Sequence, residues 1–224
     1  YLKNLHFSVN FNSMEIKVCG ITRETDARKA CSLGASHLGF ILHHGSPRCI
    51  TPFSFRKIME NLKGELIHTV AVEVNPDPEE LLEMVDSGFD FFQLHFSIST
   101  EKTRVMEWSR IVGKDRLWLA PRISPTEEFP ISLLPFADTF LIDAYSSNQF
   151  GGTGKTSDWS RFKEWKKLHP EKNWLLAGGL GHQNIADALD EAQPDGVDLN
   201  SAVEESPGKK CHQKLEQSFS VLLQ

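Results

Sequence analysis

The sequence has no long apolar run, few cysteines and no excess of positive charge, and each absence excludes a class of protein. No apolar stretch approaches the roughly 20 residues that a helix needs to cross a bilayer. The four cysteines show neither CxxC pairs nor metal-ligand spacing, which favours reduced thiols in the cytosol over a disulfide scaffold. The formal net charge of −6 argues against general binding to nucleic acid. We therefore expect a cytoplasmic protein that binds neither membranes nor nucleic acid.

The composition is that of a packed domain. Of the 224 residues, 40% are hydrophobic and 24% charged, which fits one α/β domain or two small ones. Residues 1–13 lack the charged start, apolar core and cleavage site of a secretory signal. The first convincing strand begins near Met14, so we interpret residues 1–13 as a tag or upstream segment and residues 14–224 as a single domain.

Strand-like and helix-like segments alternate along the whole of this domain. Apolar runs predict eight strands, at 16–18, 37–42, 67–74, 91–95, 117–123, 139–143, 174–177 and 196–199. Helical patterns follow them at 24–33, 53–62, 78–87, 100–110, 159–168, 184–191 and 210–223, with a helix or irregular segment at 125–134. Apolar strands that alternate with helices predict a parallel sheet covered on its outside. Eight such units predict a single (β/α)₈ TIM barrel.

Reactive side chains follow the predicted strands, at the end where barrels of this kind carry their active sites. Cys19 follows the first strand, in Lys17-Val18-Cys19-Gly20-Ile21-Thr22, and Asp143 ends the sixth. An isolated cysteine is more often a small buried hydrophobe, but this position places it on the functional face. The other candidates on that face are Arg48, Asn75, Gln93, His95, Arg122, Gly178, Gly179, Asn200 and Ser201.

Several motifs, taken in order, resemble the N-(5′-phosphoribosyl)anthranilate isomerase family of tryptophan biosynthesis. They cover nearly all of the chain from Met14 onwards. The matching segments are 17–22, Gly39-Phe40-Ile41 leading to Ser46-Pro47-Arg48, Gln93-Leu94-His95, 151–156 before Asp158-Trp159, Leu176-Ala177-Gly178-Gly179-Leu180, and 196–208. The resemblance implies conversion of N-(5′-phosphoribosyl)anthranilate to 1-(o-carboxyphenylamino)-1-deoxyribulose 5-phosphate. This is an Amadori rearrangement that uses neither a metal nor an organic cofactor.

The resemblance places the general base at Cys19 and the general acid at Asp143. The acid would protonate the furanose oxygen as the ring opens, and the base would remove the proton from C2′. A thiolate can accept a carbon-bound proton, and its reference pKa near ~8.5 can be tuned toward neutrality. Asp143 must be protonated to donate, so the role requires a raised pKa.

Three further groups would hold the substrate. Gly178 and Gly179 would let the backbone approach the phosphate closely, and Asn200 and Ser201 would add donors from the neighbouring loop. Arg48 would grip the anthranilate carboxylate with its planar fork. Gln93 and His95 are candidate substrate contacts, although a structural role for a histidine at a strand end is equally compatible with the sequence.

The glycine-rich loop after the sixth strand resembles part of a nucleotide-binding loop. A P-loop requires glycine five residues before Gly154, and that position is Gln149, so we do not expect ATP binding. We interpret the residues as a lid over the sugar phosphate. The lid residues are Gly151, Gly152, Thr153, Gly154 and Lys155.

A few positions depart from the family pattern. They are Ala202, Phe96, Glu73 and the stretch His43-His44-Gly45. Adjacent residues of an extended strand point to opposite faces, so His43 and His44 do not predict a metal site. Two alternatives remain open: another phosphosugar barrel, such as an epimerase or an indole-forming synthase, and a phosphate-binding barrel that has lost turnover. Both a monomer and a homodimer suit this fold.

Overall fold

Eight parallel strands form a closed barrel, which confirms the predicted fold. The computed structural model describes residues 14–143 and 158–223. Each strand pairs with its neighbours in the sequence, and the first strand pairs with the eighth. The strands are β1 (Glu15–Val18), β2 (His37–Ile41), β3 (His68–Val74), β4 (Phe91–Ser97), β5 (Leu117–Arg122), β6 (Thr139–Ile142), β7 (Asn173–Leu176) and β8 (Gly196–Leu199).

Seven helices are described, and they cover the outside of the barrel. They are α1 (Glu24–Leu33), α2 (Pro52–Asn61), α3 (Pro78–Asp86), α4 (Lys102–Val112), α5 (Trp159–Leu168), α6 (Ile185–Ala192) and α7 (His212–Leu222). A 3₁₀ helix at Ile131–Phe136 takes the place of the helix or irregular segment predicted at 125–134. None of the helices in the described ranges has both the length and the apolar character that crossing a membrane requires.

One element after β8 was not predicted. A short 3₁₀ helix (Ser201–Val203) leads into an antiparallel hairpin of β9 (Glu204–Ser206) and β10 (Lys209–Lys210). Its strands are short and polar, so they carry no apolar periodicity that sequence reasoning could detect. The segments 1–13 and 151–155, interpreted above as an upstream segment and a lid, lie outside the described residues.

Local signals fix where several helices begin. Asp77 accepts hydrogen bonds from the backbone N–H groups of Glu79 and Glu80, and the Glu80 carboxylate accepts one from the Asp77 N–H in return. This capping box, with Pro78 in the first turn, sets the start of α3. Thr51 caps α2 in the same way by accepting from the Ser54 N–H at 3.1 Å.

The strands separate two layers of apolar side chains. Alternate residues point outward to the helices, as Val18, Phe92 and Phe96 do, and form the main core. The other residues point into the barrel. There a smaller apolar cluster comprises Cys19, Val70, Val72, Trp118, Ala120, Leu141, Leu175 and Ala177. The barrel interior is thus filled by side chains, as is usual for this fold.

Aromatic rings fill the lower, amino-terminal end of the barrel. His37 and His68, at the starts of neighbouring strands, have ring centroids 5.3 Å apart. The His37 ring also lies 5.1 Å from that of Trp118. Burial, with the charges of His68 and Lys17, lowers the pKa of His37 to about 3, so this ring is neutral at physiological pH. The packed rings form the floor beneath the chemistry at the opposite end.

The seam between β1 and β8 leaves no space for a side chain at Gly196. Glu15 lies directly opposite Gly196 in the parallel register. A Cβ atom added to Gly196 would lie 2.7 Å from the Glu15 Cβ and 2.8 Å from the Glu15 carbonyl oxygen. Because one of these atoms belongs to the backbone, a side chain here could be accommodated only by moving the strand.

We predict that Gly196→Ala destabilises the fold by about 3 kcal/mol, because overpacking at this seam displaces β1 from β8. Gly64→Ala is the control, since a Cβ there meets nothing within 4 Å and the cost comes only from a positive φ of 98°. That cost should be about 1 kcal/mol. Urea unfolding of both variants measures the difference. Equal losses would show that the seam tolerates a methyl group.

Candidate active site

A cleft of about 660 Å³, measured to its open mouth, lies at the carboxyl-terminal end of the barrel. Side chains from loops that are far apart in the sequence line the cleft, as the predicted barrel fold requires. All nine predicted catalytic and substrate-binding residues line it: Cys19, Arg48, Gln93, His95, Asp143, Gly178, Gly179, Asn200 and Ser201. The predicted lid, 151–155, is outside the described residues.

Cys19 sits at the point where β1 ends and its backbone turns toward the cleft. Its N–H donates to the Leu199 carbonyl at 2.8 Å, which ties this turn to the end of β8. The residue is 2% exposed. Burial raises the pKa of the Cys19 thiol above its ordinary range, and the negative charge of Asp198 adds to this, while Lys17 and Lys210 oppose it. The geometry therefore favours the thiol over the thiolate, rather than a pKa near neutrality.

Glycine 39, on β2, makes room for the Cys19 side chain. A Cβ atom at Gly39 would lie 2.8 Å from the Cys19 sulfur and equally close to Cε of Lys17. Only glycine fits there, since the sulfur and the lysine side chain already occupy the space. The motif Gly39-Phe40-Ile41 therefore has a steric reason for its first residue.

Beneath Cys19, a buried ion pair crosses the barrel interior. Lys17 Nζ donates to Asp198 Oδ1 at 3.0 Å, and the two residues face each other across the pairing of β1 with β8. The Lys17 side chain is fully buried and that of Asp198 is 7% exposed. Burial alone would lower the pKa of Lys17, but Asp198 and Cys19 raise it above 10.5, so the amine carries its charge.

Arg48 is held by a partner that the sequence did not reveal. Its Nε and Nη2 atoms donate to the two carboxylate oxygens of Glu204, with distances of 2.7–3.1 Å. Glu204 lies at the start of β9, so the unpredicted hairpin fixes the orientation of the guanidinium. Nε and Nη2 of Arg48 therefore already bind Glu204. The third guanidinium nitrogen, Nη1, takes no part in this bidentate contact.

The same carboxylate joins Arg48 to the loop after β8. Lys210 Nζ donates to Glu204 Oε1 at 3.0 Å and to the Asn200 side-chain oxygen at 3.0 Å. Burial by itself would raise the pKa of Glu204, but the hydrogen bonds and charges of Arg48 and Lys210 bring it below 4.5. Lys210 therefore holds the side chain of Asn200, which lines the cleft.

Gln93 and His95 point into the barrel from β4. The Gln93 Nε2 and His95 Nε2 atoms lie 2.7 Å apart. Burial, with the charges of Lys17 and His43, lowers the pKa of His95 to about 3, so the imidazole is neutral. The Gln93 side-chain oxygen is buried and accepts no hydrogen bond from the described residues. A buried oxygen without a hydrogen-bond donor is unusual in a folded protein, and this marks Gln93 as a candidate ligand contact.

The loop after β7 turns at two glycines. Gly178 and Gly179 have φ values of 97° and 66°, which favour glycine. Asn184 holds the loop, because its side chain accepts from the Gly181 N–H at 2.9 Å and donates to the Gly179 carbonyl at 3.0 Å. A Cβ atom on Gly181 would come within 3.1 Å of the Ala202 Cβ, so the loops after β7 and β8 touch.

Two departures from the family pattern form a pair at the cleft. His43 Nδ1 lies 2.9 Å from the Glu73 Oε1 atom, and His43 lines the cleft. Burial raises the pKa of Glu73 above 4.5, against the opposing effect of the Val74 N–H and of His43. A third departure, Phe96, faces away from the site, with its ring 5.4 Å from that of Trp108 on α4.

Sequence reasoning missed the charged residues beneath and beside the cleft: Lys17, Asp198, Glu204 and Lys210. A signal existed for two of them, since a lysine and an aspartate interrupt the apolar strands 16–18 and 196–199. No group of three His, Cys, Asp or Glu side chains suited to a metal ion occurs in residues 14–143 and 158–223. All four cysteines are free thiols.

The fold and the cleft first define a class: a (β/α)₈ barrel with titratable side chains gathered at its carboxyl-terminal end, which is the layout of barrel enzymes. Comparison with known proteins then narrows the class. A family model described as N-(5′-phosphoribosyl)anthranilate (PRA) isomerase matches residues 16–221. The N-(5′-phosphoribosyl)anthranilate isomerase of Gloeothece citriformis is 37% identical over 212 residues, which is 93% of this chain and 94% of that protein.

Solved structures agree with this match. Phosphoribosyl anthranilate isomerase from Thermus thermophilus superimposes with a TM-score of 0.76 at 30% identity, covering 94% of this chain and 98% of that one. A phosphoribosyl anthranilate isomerase in complex with reduced 1-(o-carboxyphenylamino)-1-deoxyribulose 5-phosphate gives a TM-score of 0.73 at 25% identity, with 94% and 98% coverage. The chain belongs to the N-(5′-phosphoribosyl)anthranilate isomerase family.

We predict that Glu204→Gln lowers the free energy of unfolding by about 2 kcal/mol at neutral pH, because it weakens charged hydrogen bonds to Arg48 and Lys210. The folded-state pKa of Glu204 is lowered, so its contribution is complete above pH 4.5 and is lost as the pH falls through the folded pKa. The difference in the free energy of unfolding between wild type and variant should therefore disappear at acidic pH.

Unfolding by urea at several pH values measures this difference. Glu205→Gln is the matched control, because Glu205 is the next residue and pairs with Lys209 on the surface. The control should stay near the wild type at every pH. A Glu204→Gln deficit that persists unchanged below pH 4 would contradict the assignment.

Proposed function

We propose that this chain converts N-(5′-phosphoribosyl)anthranilate to 1-(o-carboxyphenylamino)-1-deoxyribulose 5-phosphate, with Cys19 as the base and Asp143 as the acid. The observation that carries this proposal is that both residues line one cleft, in a chain that matches the family from residue 16 to residue 221. A related enzyme has been crystallised with the reduced form of that product. This supports a phosphosugar as the ligand of the cleft.

Cys19 suits the role of the base by position. Its sulfur lies at the mouth of the barrel interior, and Asn200 and Arg48 pack beside the adjacent Gly20. A sulfur held in this way can reach C2′ of a sugar that is anchored at the neighbouring phosphate loops. Because burial disfavours its thiolate, we expect the rate to rise with pH across the alkaline range in which Cys19 ionises.

Asp143 suits the role of the acid because it follows β6, on the side of the cleft away from β1. A proton donor and a proton acceptor on different walls can act on different atoms of one sugar, here the ring oxygen and C2′. Donation by Asp143 opens the furanose to a Schiff base, and removal of the C2′ proton gives the enolamine. Tautomerisation of the enolamine then yields the ketone.

Substrate binding divides between the two ends of the cleft. Phosphate fits the loops after β7 and β8, where the positive-φ glycines 178 and 179 face Asn200 and Ser201 across touching loops. The anthranilate carboxylate fits beside Arg48, whose Nη1 points outside its contact with Glu204. The buried Gln93 oxygen can accept from a ribose hydroxyl, with neutral His95 as its neighbour.

The cellular setting stays a prediction. A biosynthetic enzyme acting on a phosphorylated sugar belongs in the cytoplasm, where four free thiols remain reduced. A related enzyme from Thermotoga maritima is described as dimeric, and monomers have been generated from it. For this chain both a monomer and a homodimer are compatible with the barrel.

We predict that Cys19→Ser and Asp143→Asn each lower kcat by about two to four orders of magnitude, as expected for loss of a general base or acid. Direct assay with freshly generated phosphoribosylanthranilate measures the effect, and circular dichroism checks the fold. Cys31→Ser is the matched control, because that thiol lies on α1 outside the cleft. Near-normal turnover by either cleft variant would defeat its assignment. Wild-type protein without turnover that still binds the substrate would instead support a barrel that retained only phosphate binding.

For Arg48→Lys we predict a rise in KM of about tenfold or more with a smaller change in kcat, because lysine cannot reproduce the planar fork. Arg56→Lys on α2 is the control, since its side chain is exposed away from the cleft. Steady-state kinetics separate the two parameters. If KM is unchanged in a folded variant, Arg48 does not hold the carboxylate.

A further inference from the structure

The Lys17–Asp198 ion pair lies where packing alone would place apolar side chains. The barrel interior that holds this pair also holds the apolar side chains of Val70, Val72 and Leu175. Removing two charges from water costs several kcal/mol per ion, and a well-packed apolar pair of similar size is often as stable or more stable. The pair therefore needs an explanation other than stability, and its position directly below the cleft suggests one.

Lys17 lies close to the Cys19 sulfur. The two residues are two apart on β1, so their side chains point to the same face, about 7 Å apart along the strand. The side chains are closer than this spacing suggests, because a Cβ atom added to Gly39 would lie 2.8 Å from both the Cys19 sulfur and Cε of Lys17. The sulfur and Cε are therefore at most twice that distance apart, and the ammonium is bonded to Cε. Asp198, held at 3.0 Å, fixes the direction of the ammonium.

We propose that Lys17, oriented by Asp198, is a positioning residue that keeps a positive charge beside the Cys19 sulfur and so stabilises the thiolate form of the base. This inference rests on the function proposed above for Cys19. A thiolate in an apolar interior is strongly disfavoured, and an adjacent cation is the usual means of making one accessible.

Of the charged groups around Cys19, Lys17 is the one that most favours the thiolate. From β8, Asp198 disfavours the thiolate, while Lys210 from β10, which is bound to Glu204 and Asn200, favours it less strongly than Lys17 does. Arg48, His95 and Asp143 line the same cleft, and of these Arg48 is neutralised by Glu204. Lys17 remains protonated despite complete burial, because Asp198 and Cys19 raise its pKa. Its positive charge is thus present at physiological pH.

The test follows the alkylation of Cys19 by iodoacetamide against pH, with peptide mass spectrometry to separate this thiol from the other three. Loss of the charge in Lys17→Met should shift the half-reaction pH of Cys19 upward by about one unit or more. Alkylation at pH 7 should slow about tenfold. Lys17→Arg keeps the charge and should restore the wild-type profile. Lys172→Met is the control, since Lys172 binds Ala137 and Asp138 away from the cleft.

An unchanged Cys19 profile in folded Lys17→Met overturns the proposal, as does an Arg variant that fails to restore it. If Lys17→Met does not fold, Lys17→Gln takes its place, because the amide can still donate to Asp198 and the same upward shift is expected. The readout needs no turnover. A shifted profile together with full activity in Cys19→Ser would remove the function proposed for Cys19 but keep the charge effect on its thiol.

Discussion

The pairing of β1 with β8 is the contact on which the site depends. It closes the sheet into a barrel, brings Lys17 opposite Asp198, and binds the Cys19 N–H to the Leu199 carbonyl. These residues lie about 180 positions apart in the chain, as the separation of 181 between Lys17 and Asp198 shows. Bringing the two strands together costs loop-closure entropy. Burial of apolar side chains between the strands and the surrounding helices offsets this cost. The position of Cys19 therefore depends on the closure of the barrel as well as on its own strand.

Burial of charge is the second constraint, and the chain meets it by pairing. Asp198 neutralises Lys17, and Glu204 is shared by Arg48 and Lys210. Asp26 at the start of α1 is fully buried and accepts from Arg23 and from the Lys210 N–H. The hairpin of β9 and β10 is thus tied both to α1 and to the loop that carries Arg48. This hairpin, which lies outside the barrel, therefore helps to hold the Arg48 guanidinium at the cleft.

Much of the barrel could be predicted, because its strands are short apolar runs between helices with clear end signals. The helices Glu24–Leu33 and Trp159–Leu168 have the predicted bounds. The positions of Cys19 and Asp143 followed from strand ends. Lys17 and Asp198 could not be recognised as partners, because an ion pair between the first and last strands leaves no local pattern. Glu204 was missed for a similar reason, since its hairpin has no periodicity and its role comes from Arg48.

Some of the residues that depart from the family pattern pack in the core, and others lie at the cleft or in the loops beside it. Phe96 points outward onto Trp108, so its bulk fills the helix layer and leaves the interior unchanged. Ala202 meets Gly181, which tightens the contact between the two loops proposed for phosphate. His43 and Glu73 depart together and bind each other, so each supplies the partner that the other needs in a half-buried position. Since His43 lines the cleft and Glu73 binds its ring, the two departures together set the polar character of that part of the cleft wall.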